Sequence, residues 1–142
     1  MLLVDVNVLV YAHREDASGH ERYRQWLLDH LAGVEPFGTS PQVLSGFLRI
    51  VTHPRVFTKP TPLRTALAFV NELRTRPNIV IVSPGARHWR IFTDLCARTG
   101  AKGNLIPDAF LAALAMESGC EWITTDRGFA RYPGLRWRHP LD

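Results

Sequence analysis

The chain has 142 residues, 46% of them hydrophobic and 21% charged, proportions that are typical of a globular protein and exclude a disordered one. Seventeen basic residues against thirteen acidic ones give a net charge of +4, and all but two of the basic residues are arginines. This bias is compatible with a nucleic-acid partner, but charge alone argues equally for solubility and non-specific attraction. No apolar run approaches the roughly 20 residues of a membrane span, and no basic region precedes the first apolar stretch. We therefore expect one domain over residues 1–142, cytoplasmic, with Cys96 and Cys120 as reduced thiols.

The opening run MLLVDVNVLVYA is predicted to be a buried strand, and only Asp5 and Asn7 within it are polar. A carboxylate is rarely buried without a partner, because removing it from water costs several kcal/mol. Asp5 therefore requires an internal cation or a bound metal. Asn7 is expected to orient Asp5 or to cap the segment that follows.

Apolar residues at helical spacing predict five helices. They are HERYRQWLLDHL, which stops at Gly33; SPQVLSGFLRIV, which starts at a Ser40 cap; TPLRTALAFVNELR; GARHWRIFTDLCARTG, which stops at Gly100; and the strongly apolar IPDAFLAALAMESG. The same spacing predicts Leu63, Leu67 and Trp89 on buried helix faces.

Three further strands are predicted in addition to the opening run. NIVIVS is predicted to be a fully buried strand, EWITTD a short strand and GLRWR an edge strand. Alternation of strands and helices indicates an α/β protein, a three-layer α/β/α sandwich with a central, mostly parallel twisted sheet of four or five strands.

Three carboxylates are predicted at one edge of that sheet. Asp5 and Asp126 follow strands, Asp108 begins the apolar helix, and the carboxyl ends of parallel strands meet at one edge. Such a cluster repels itself, so at least one pKa should be raised in the absence of a cation, and Mg²⁺ or Mn²⁺ would relieve the repulsion. The local alternatives are a helix-terminus acid at Asp108 and a turn residue at Asp126. The histidines and cysteines lack zinc-ligand spacing, and no phosphate-binding glycine loop occurs.

The segments LLVDVNVLVYA and NLIPDAFLAALAMESGCEWITTDRGFARYPGLRW, with the helical middle, resemble a PIN-domain ribonuclease, in particular the toxin of a VapBC-type toxin-antitoxin pair. The resemblance implies an endoribonuclease dependent on Mg²⁺ or Mn²⁺ that cleaves a loop of transfer or ribosomal RNA. It places Asp5, Asp108 and Asp126 at the metal-binding and catalytic positions. It also implies a VapB-type antitoxin partner and a homodimer. Nearby in sequence, Thr125 and Arg127 are expected to support the site together with Asn7.

One departure from the family pattern affects this interpretation. The family usually has a further glutamate in the segment matching SPQVLSGFLRIV, where this chain has Ser45 and Gly46, with no acid between Glu35 and Glu72. The loss favours an alternative, a catalytically weakened module that binds RNA or antitoxin. A haloacid-dehalogenase-type phosphatase is a second alternative, but it requires an aspartate where Asn7 stands. Basic and aromatic residues that could contact RNA are Lys59, Arg131, Tyr132, Arg136 and Trp137.

Overall fold

A computed structural model describes residues 1–142 as five strands, six α-helices and one 3₁₀ helix. In chain order they are β1 (Leu2–Val4), α1 (Val6–His13), α2 (His20–Ala32), β2 (Phe37–Thr39), α3 (Pro41–Val51), α4 (Leu63–Thr75), β3 (Ile79–Ile81), α5 (His88–Thr99), α6 (Leu105–Glu117), β4 (Glu121–Ile123), the 3₁₀ helix (Arg127–Arg131) and β5 (Trp137–Arg138). None of the helices has the length and apolar character that crossing a membrane would require.

The sheet has the order β3-β2-β1-β4-β5, and every neighbouring pair is parallel. The chain runs outward from β1 to β3, then returns across the sheet to β4 on the other side of β1. Right-handed crossovers place α1 to α4 on one face and α5 and α6 on the other, in agreement with the packing of α1 on α2 and α3 and of α5 on α6. The predicted three-layer fold is confirmed. The reversal makes the gap between β1 and β4 the topological switch point, where open α/β sheets bind ligands.

The end of the opening run differs from prediction. Only Leu2–Val4 is strand, and VNVLVYAH forms α1. Asp5 causes the change, because its extended backbone (φ −80°, ψ 158°) and its side chain, which accepts the Val6 N–H, make it the N-cap of that helix. The apolar residues of α1 therefore enter the core as a helix.

Helix α6 is packed closely in the core through small side chains. Its fully buried residues are Ala109, Ala112, Ala113, Leu114 and Ala115. Alanines allow a helix to approach its neighbours closely, while large side chains such as Trp122, Phe37 and Phe47 fill the rest of the core. The prediction that IPDAFLAALAMESG is a central helix is confirmed, and both cysteines are free thiols, one buried and one half-buried.

Two other predictions were wrong, and one strand was missed. The NIVIVS strand is an edge strand, so Val80 and Ile81 are exposed rather than fully buried. Leu63, Leu67 and Trp89 are also exposed, because α4 and α5 are rotated so that other residues, including the buried His88, face the core. Strand β2, with the sequence FGT, was not predicted at all.

Candidate active site

Asp5 lies at the switch point and is only 6% exposed. Its backbone N–H donates to the carbonyl of Ile123 in β4 at 2.9 Å, which continues the pairing of β1 with β4. One carboxylate oxygen, Oδ1, accepts the N–H of Val6 at 2.7 Å. The other, Oδ2, accepts the Thr124 hydroxyl at 2.7 Å and the Asn7 amide at 3.1 Å. Four contacts thus fix both the backbone and the carboxylate of Asp5.

The hydroxyl of Thr124 connects the ends of β1 and β4. It donates to Asp5 and accepts hydrogen bonds from the Asn7 amide at 3.3 Å and from the backbone N–H of Asp126 at 3.0 Å. Thr124 is fully buried, so its single donor and both acceptor positions are used within the protein. The hydroxyl therefore fixes the position of Asp5 relative to the backbone of Asp126.

Thr125, which was expected to support the site, contacts it through its backbone. Thr125 contributes its backbone N–H, which donates to the Asn7 side-chain oxygen at 3.2 Å, and the hydroxyl that contacts the acid belongs to Thr124. Asn7 is placed as expected, with hydrogen bonds to Asp5 and to the chain after β4. In the sequence TTD, adjacent threonines cannot be distinguished without knowing where the strand ends.

Asp108 and Asp126 face the same groove as Asp5. Asp108 lies in the first turn of α6 and is half-buried. Asp126 is exposed and caps the 3₁₀ helix by accepting the Gly128 N–H at 2.8 Å. The three acids predicted to converge are therefore brought to one groove, and Asp126 also has the turn role considered as an alternative.

The electrostatics of the acids follow from burial. Burial raises the pKa of Asp5 from 3.8 to about 6, against the hydrogen bonds from Thr124 and Val6, and the charges of Asp108 and Asp126 raise it further. Burial also raises the pKa of Asp108, with repulsion from Asp126 in the same direction and the charge of Arg131 opposing it. The expected raised pKa is present, but desolvation contributes more to it than repulsion does.

The donor set suits a hard divalent cation. Carboxylate oxygens are the ligands that Mg²⁺ and Mn²⁺ prefer, and the repulsion among Asp5, Asp108 and Asp126 would be relieved by a cation. No group of three or more histidine, cysteine, aspartate or glutamate side chains is close enough to form a preassembled metal cage. Mg²⁺ commonly uses only one or two carboxylates and retains several waters, so such a cage is not required.

The groove has a volume of about 840 Å³ and is bounded on one side by α3. Both residues at the position of the expected glutamate, Ser45 and Gly46, line it. A Cβ on Gly46 would lie 2.9 Å from Cγ2 of Val6, so α3 approaches the start of α1 so closely that a side chain at position 46 would require Val6 or the helix to shift. The structure supplies no fourth carboxylate in the groove.

The interpretation of Arg127 also needs correction. Arg127 is exposed, pairs with Asp142 at 3.2 Å and does not line the groove. Its position at the start of the 3₁₀ helix turns it toward the end of the chain. One turn later, Arg131 is the arginine whose charge acts on Asp108, while its own Nε donates to the carbonyl of Gly128 at 2.8 Å.

A parallel α/β/α fold with three acids at the switch between β1 and β4 matches a known class. The PIN domain sequence profile matches residues 2–135, so the chain belongs to the PIN domain family. The solved structure of VapBC2 from Rickettsia felis, bound to a promoter DNA fragment, superposes with a TM-score of 0.72 at 20% identity, covering 97% of each chain. VapC20 of Mycobacterium tuberculosis, described as a sarcin-ricin loop cleaving toxin, superposes with a TM-score of 0.69 at 14% identity, covering 96% of this chain and 99% of that one. At these identities the two likenesses establish the fold.

Sequence similarity narrows the class further. The chain is 52% identical over 143 residues to ribonuclease VapC43 of Mycobacterium tuberculosis, in an alignment that covers 100% of this chain and 97% of the relative. It is a VapC-type ribonuclease of the PIN domain family.

Proposed function

We propose that this chain is an endoribonuclease dependent on Mg²⁺ or Mn²⁺, with Asp5, Asp108 and Asp126 as its metal ligands and catalytic residues. The observation that carries the proposal is the convergence of these three carboxylates, two of them with raised pKa, on one open groove at the switch point. When bound, a divalent cation supplies an acidified water as nucleophile and stabilises charge developing on the phosphate oxygens.

The chain's own residues have distinct parts in this proposal. Thr124 and Asn7 hold the Asp5 carboxylate in one orientation, so its oxygens require no reorganisation on binding. Asp108 and Asp126 present their carboxylates from a helix start and a turn. Neither has a covalent role, because hydrolysis proceeds by attack of water on phosphorus.

The proposed substrate is a single-stranded loop in a structured RNA, either transfer RNA or ribosomal RNA. Splayed bases in a loop can be recognised, whereas the deep groove of an RNA helix cannot be read by side chains. One relative of the same fold, VapC20, is described as cleaving the sarcin-ricin loop, which is a target of this kind.

We further propose a cytoplasmic protein that forms a homodimer and is inhibited by a VapB-type antitoxin. The similar VapBC2 structure is of a toxin-antitoxin pair, which supports the antitoxin as partner. Co-expression with the neighbouring small reading frame should yield a co-purifying protein, and light scattering should give the mass of a dimer for the isolated chain. A monomer that captures no such protein would contradict this part of the proposal.

The activity is tested by incubating the protein with total cellular RNA and Mg²⁺ or Mn²⁺ and mapping new 5′ ends by sequencing. We expect one or a few sharp sites, lost in Asp108→Asn and retained in Asp94→Asn, which removes an exposed carboxylate on α5. Uniform degradation that persists in Asp108→Asn would indicate a contaminating nuclease. Absence of cleavage in either metal would favour the weakened binding module, which the missing fourth carboxylate makes the second candidate.

A further inference from the structure

Arg49 is the only basic residue that lines the groove containing the three acids. We propose that its guanidinium binds a backbone phosphate of the RNA substrate there, on the side of the groove that lacks the fourth carboxylate. The inference rests on the proposed ribonuclease function and assigns a substrate-binding residue to it.

The geometry of α3 determines where Arg49 lies. Ser40 caps this helix by accepting the Val43 N–H at 3.1 Å, and Phe47 is fully buried on its inner face. Ser45 and Arg49 are one helical turn apart, so they share the face that lines the groove. The close approach at Gly46 fixes that face against the start of α1, next to Asp5.

The guanidinium of Arg49 is free to bind a ligand. The residue is exposed and makes neither a salt bridge nor a side-chain hydrogen bond within the chain, although it shares the groove with three carboxylates. Several other arginines of the chain are already paired, for example Arg14 with Asp16 at 2.6 Å and Arg76 with Glu72 at 2.8 Å. Only Arg49 combines an unpaired charge with a place in the acidic groove.

A phosphodiester needs such a group at this position. Three carboxylates repel a phosphate, and a metal ion offsets that repulsion only where it is bound. Arginine presents a planar fork that can donate two parallel hydrogen bonds to one phosphate. Binding to Arg49 would hold the strand against α3, in the same groove as the acids.

The test compares Arg49→Gln and Arg49→Lys with Arg74→Gln. Arg74 is a matched control, because it also lies in the last turn of a helix, is exposed and unpaired, and is outside the groove. Binding is measured with a short fluorescein-labelled single-stranded RNA of mixed sequence, with Ca²⁺ in place of Mg²⁺ and the strand verified as intact. Cleavage is measured separately in Mg²⁺ as kcat/KM.

We expect Arg49→Gln to reduce the slope of log affinity against log salt by about 0.7, the value for one single-strand phosphate contact. The same change should lower kcat/KM on the order of 10²-fold. Arg49→Lys should retain the salt slope but lose part of kcat/KM, because lysine cannot bind in the bidentate mode. Arg74→Gln should match the unsubstituted protein in both measurements.

The inference is overturned if Arg49→Gln keeps the salt slope of the unsubstituted protein, or if Arg74→Gln reduces the salt slope and kcat/KM as much as Arg49→Gln does. The binding measurement does not depend on cleavage. Failure of the unsubstituted protein to cleave any RNA would therefore contradict the proposed function, whereas an unchanged salt slope in Arg49→Gln would contradict the role of Arg49.

Discussion

Replacing Asp5 with asparagine should change the stability of the metal-free protein in a direction that depends on pH. Burial raises the pKa of Asp5 from 3.8 to about 6, so the folded state binds a proton more tightly than the unfolded state does. The stabilisation from this protonation is fully present below the unfolded pKa and is lost as pH rises through the folded one. A shift of this size amounts to about 3 kcal/mol between the two limits.

The asparagine also has a cost that does not vary with pH. The carboxylate accepts hydrogen bonds on both oxygens, from Val6 on one and from Thr124 and Asn7 on the other. An amide offers only one oxygen, so at least one of these donors loses its acceptor, at a cost of about 1–2 kcal/mol. This cost in the free energy of unfolding is the same at every pH, whereas the contribution from protonation of Asp5 changes as that group titrates.

The measurement is urea unfolding of both proteins in EDTA at several pH values. The free energy of unfolding of Asp5→Asn, minus that of the unsubstituted protein, should rise by about 2 kcal/mol from about pH 4.5 to about pH 7.5. Asp29→Asn, which removes an exposed carboxylate bonded to Gln25, controls for the loss of a surface charge. A difference that stays flat with pH for Asp5→Asn would refute the reasoning, since it would mean that the hydrogen bonds keep the carboxylate ionised despite its burial. Adding Mn²⁺ at neutral pH should stabilise the unsubstituted protein more than the variant, because the variant lacks one of the three carboxylates proposed to bind the ion.

Two further predictions concern the supports of the site. Thr124→Val should lower RNA cleavage at least about tenfold and destabilise the fold by about 1–3 kcal/mol, because the Asn7 amide and the Asp126 N–H lose their acceptor. Thr124→Ser, assayed in parallel, should retain most of the cleavage activity and of the stability. Equal loss in the two variants would contradict a role for the hydroxyl. Gly46→Ala should lower the free energy of unfolding by about 1–3 kcal/mol in thermal or urea melts, because its Cβ would meet Val6 at 2.9 Å. A more stable variant would show that the higher helix propensity of alanine outweighs the steric clash with Val6.

The convergence of the acids could be predicted from sequence because it depends only on topology. Asp5 and Asp126 each follow a strand, and parallel strands bring their carboxyl ends to one edge whatever the details of packing. Placing Asp108 at the same edge required only the prediction that a helix begins next to it. The helix caps at Ser40 and Gly100 were likewise predictable, because serine is a common N-cap and glycine a common C-terminal residue of helices. In the structure Ser40 accepts a backbone N–H, and Gly100 adopts a left-handed φ of 62°.

What could not be predicted depends on rotation and register. Strand β2 has three residues, one of them glycine, and its pairing with β1 and β3 rather than any local pattern makes it a strand. Trp89 is exposed because the rotation of α5 is set by its neighbours, and periodicity alone does not fix that rotation. A role for Arg49 could not be predicted, because nothing in the sequence shows that this exposed helical arginine lines the same groove as the three acids.

The pairing of β1 with β4 has a consequence for how the chain is made. Thr124 is synthesised 119 residues after Asp5, and β1 has no partner on that side until β4 has been synthesised. At translation rates of about 5–20 residues per second, this interval is on the order of ten seconds. A nascent chain therefore carries its first acid without the residues that orient it. The groove is completed only once the chain has been made past Asp126, so a shorter nascent chain lacks the proposed site.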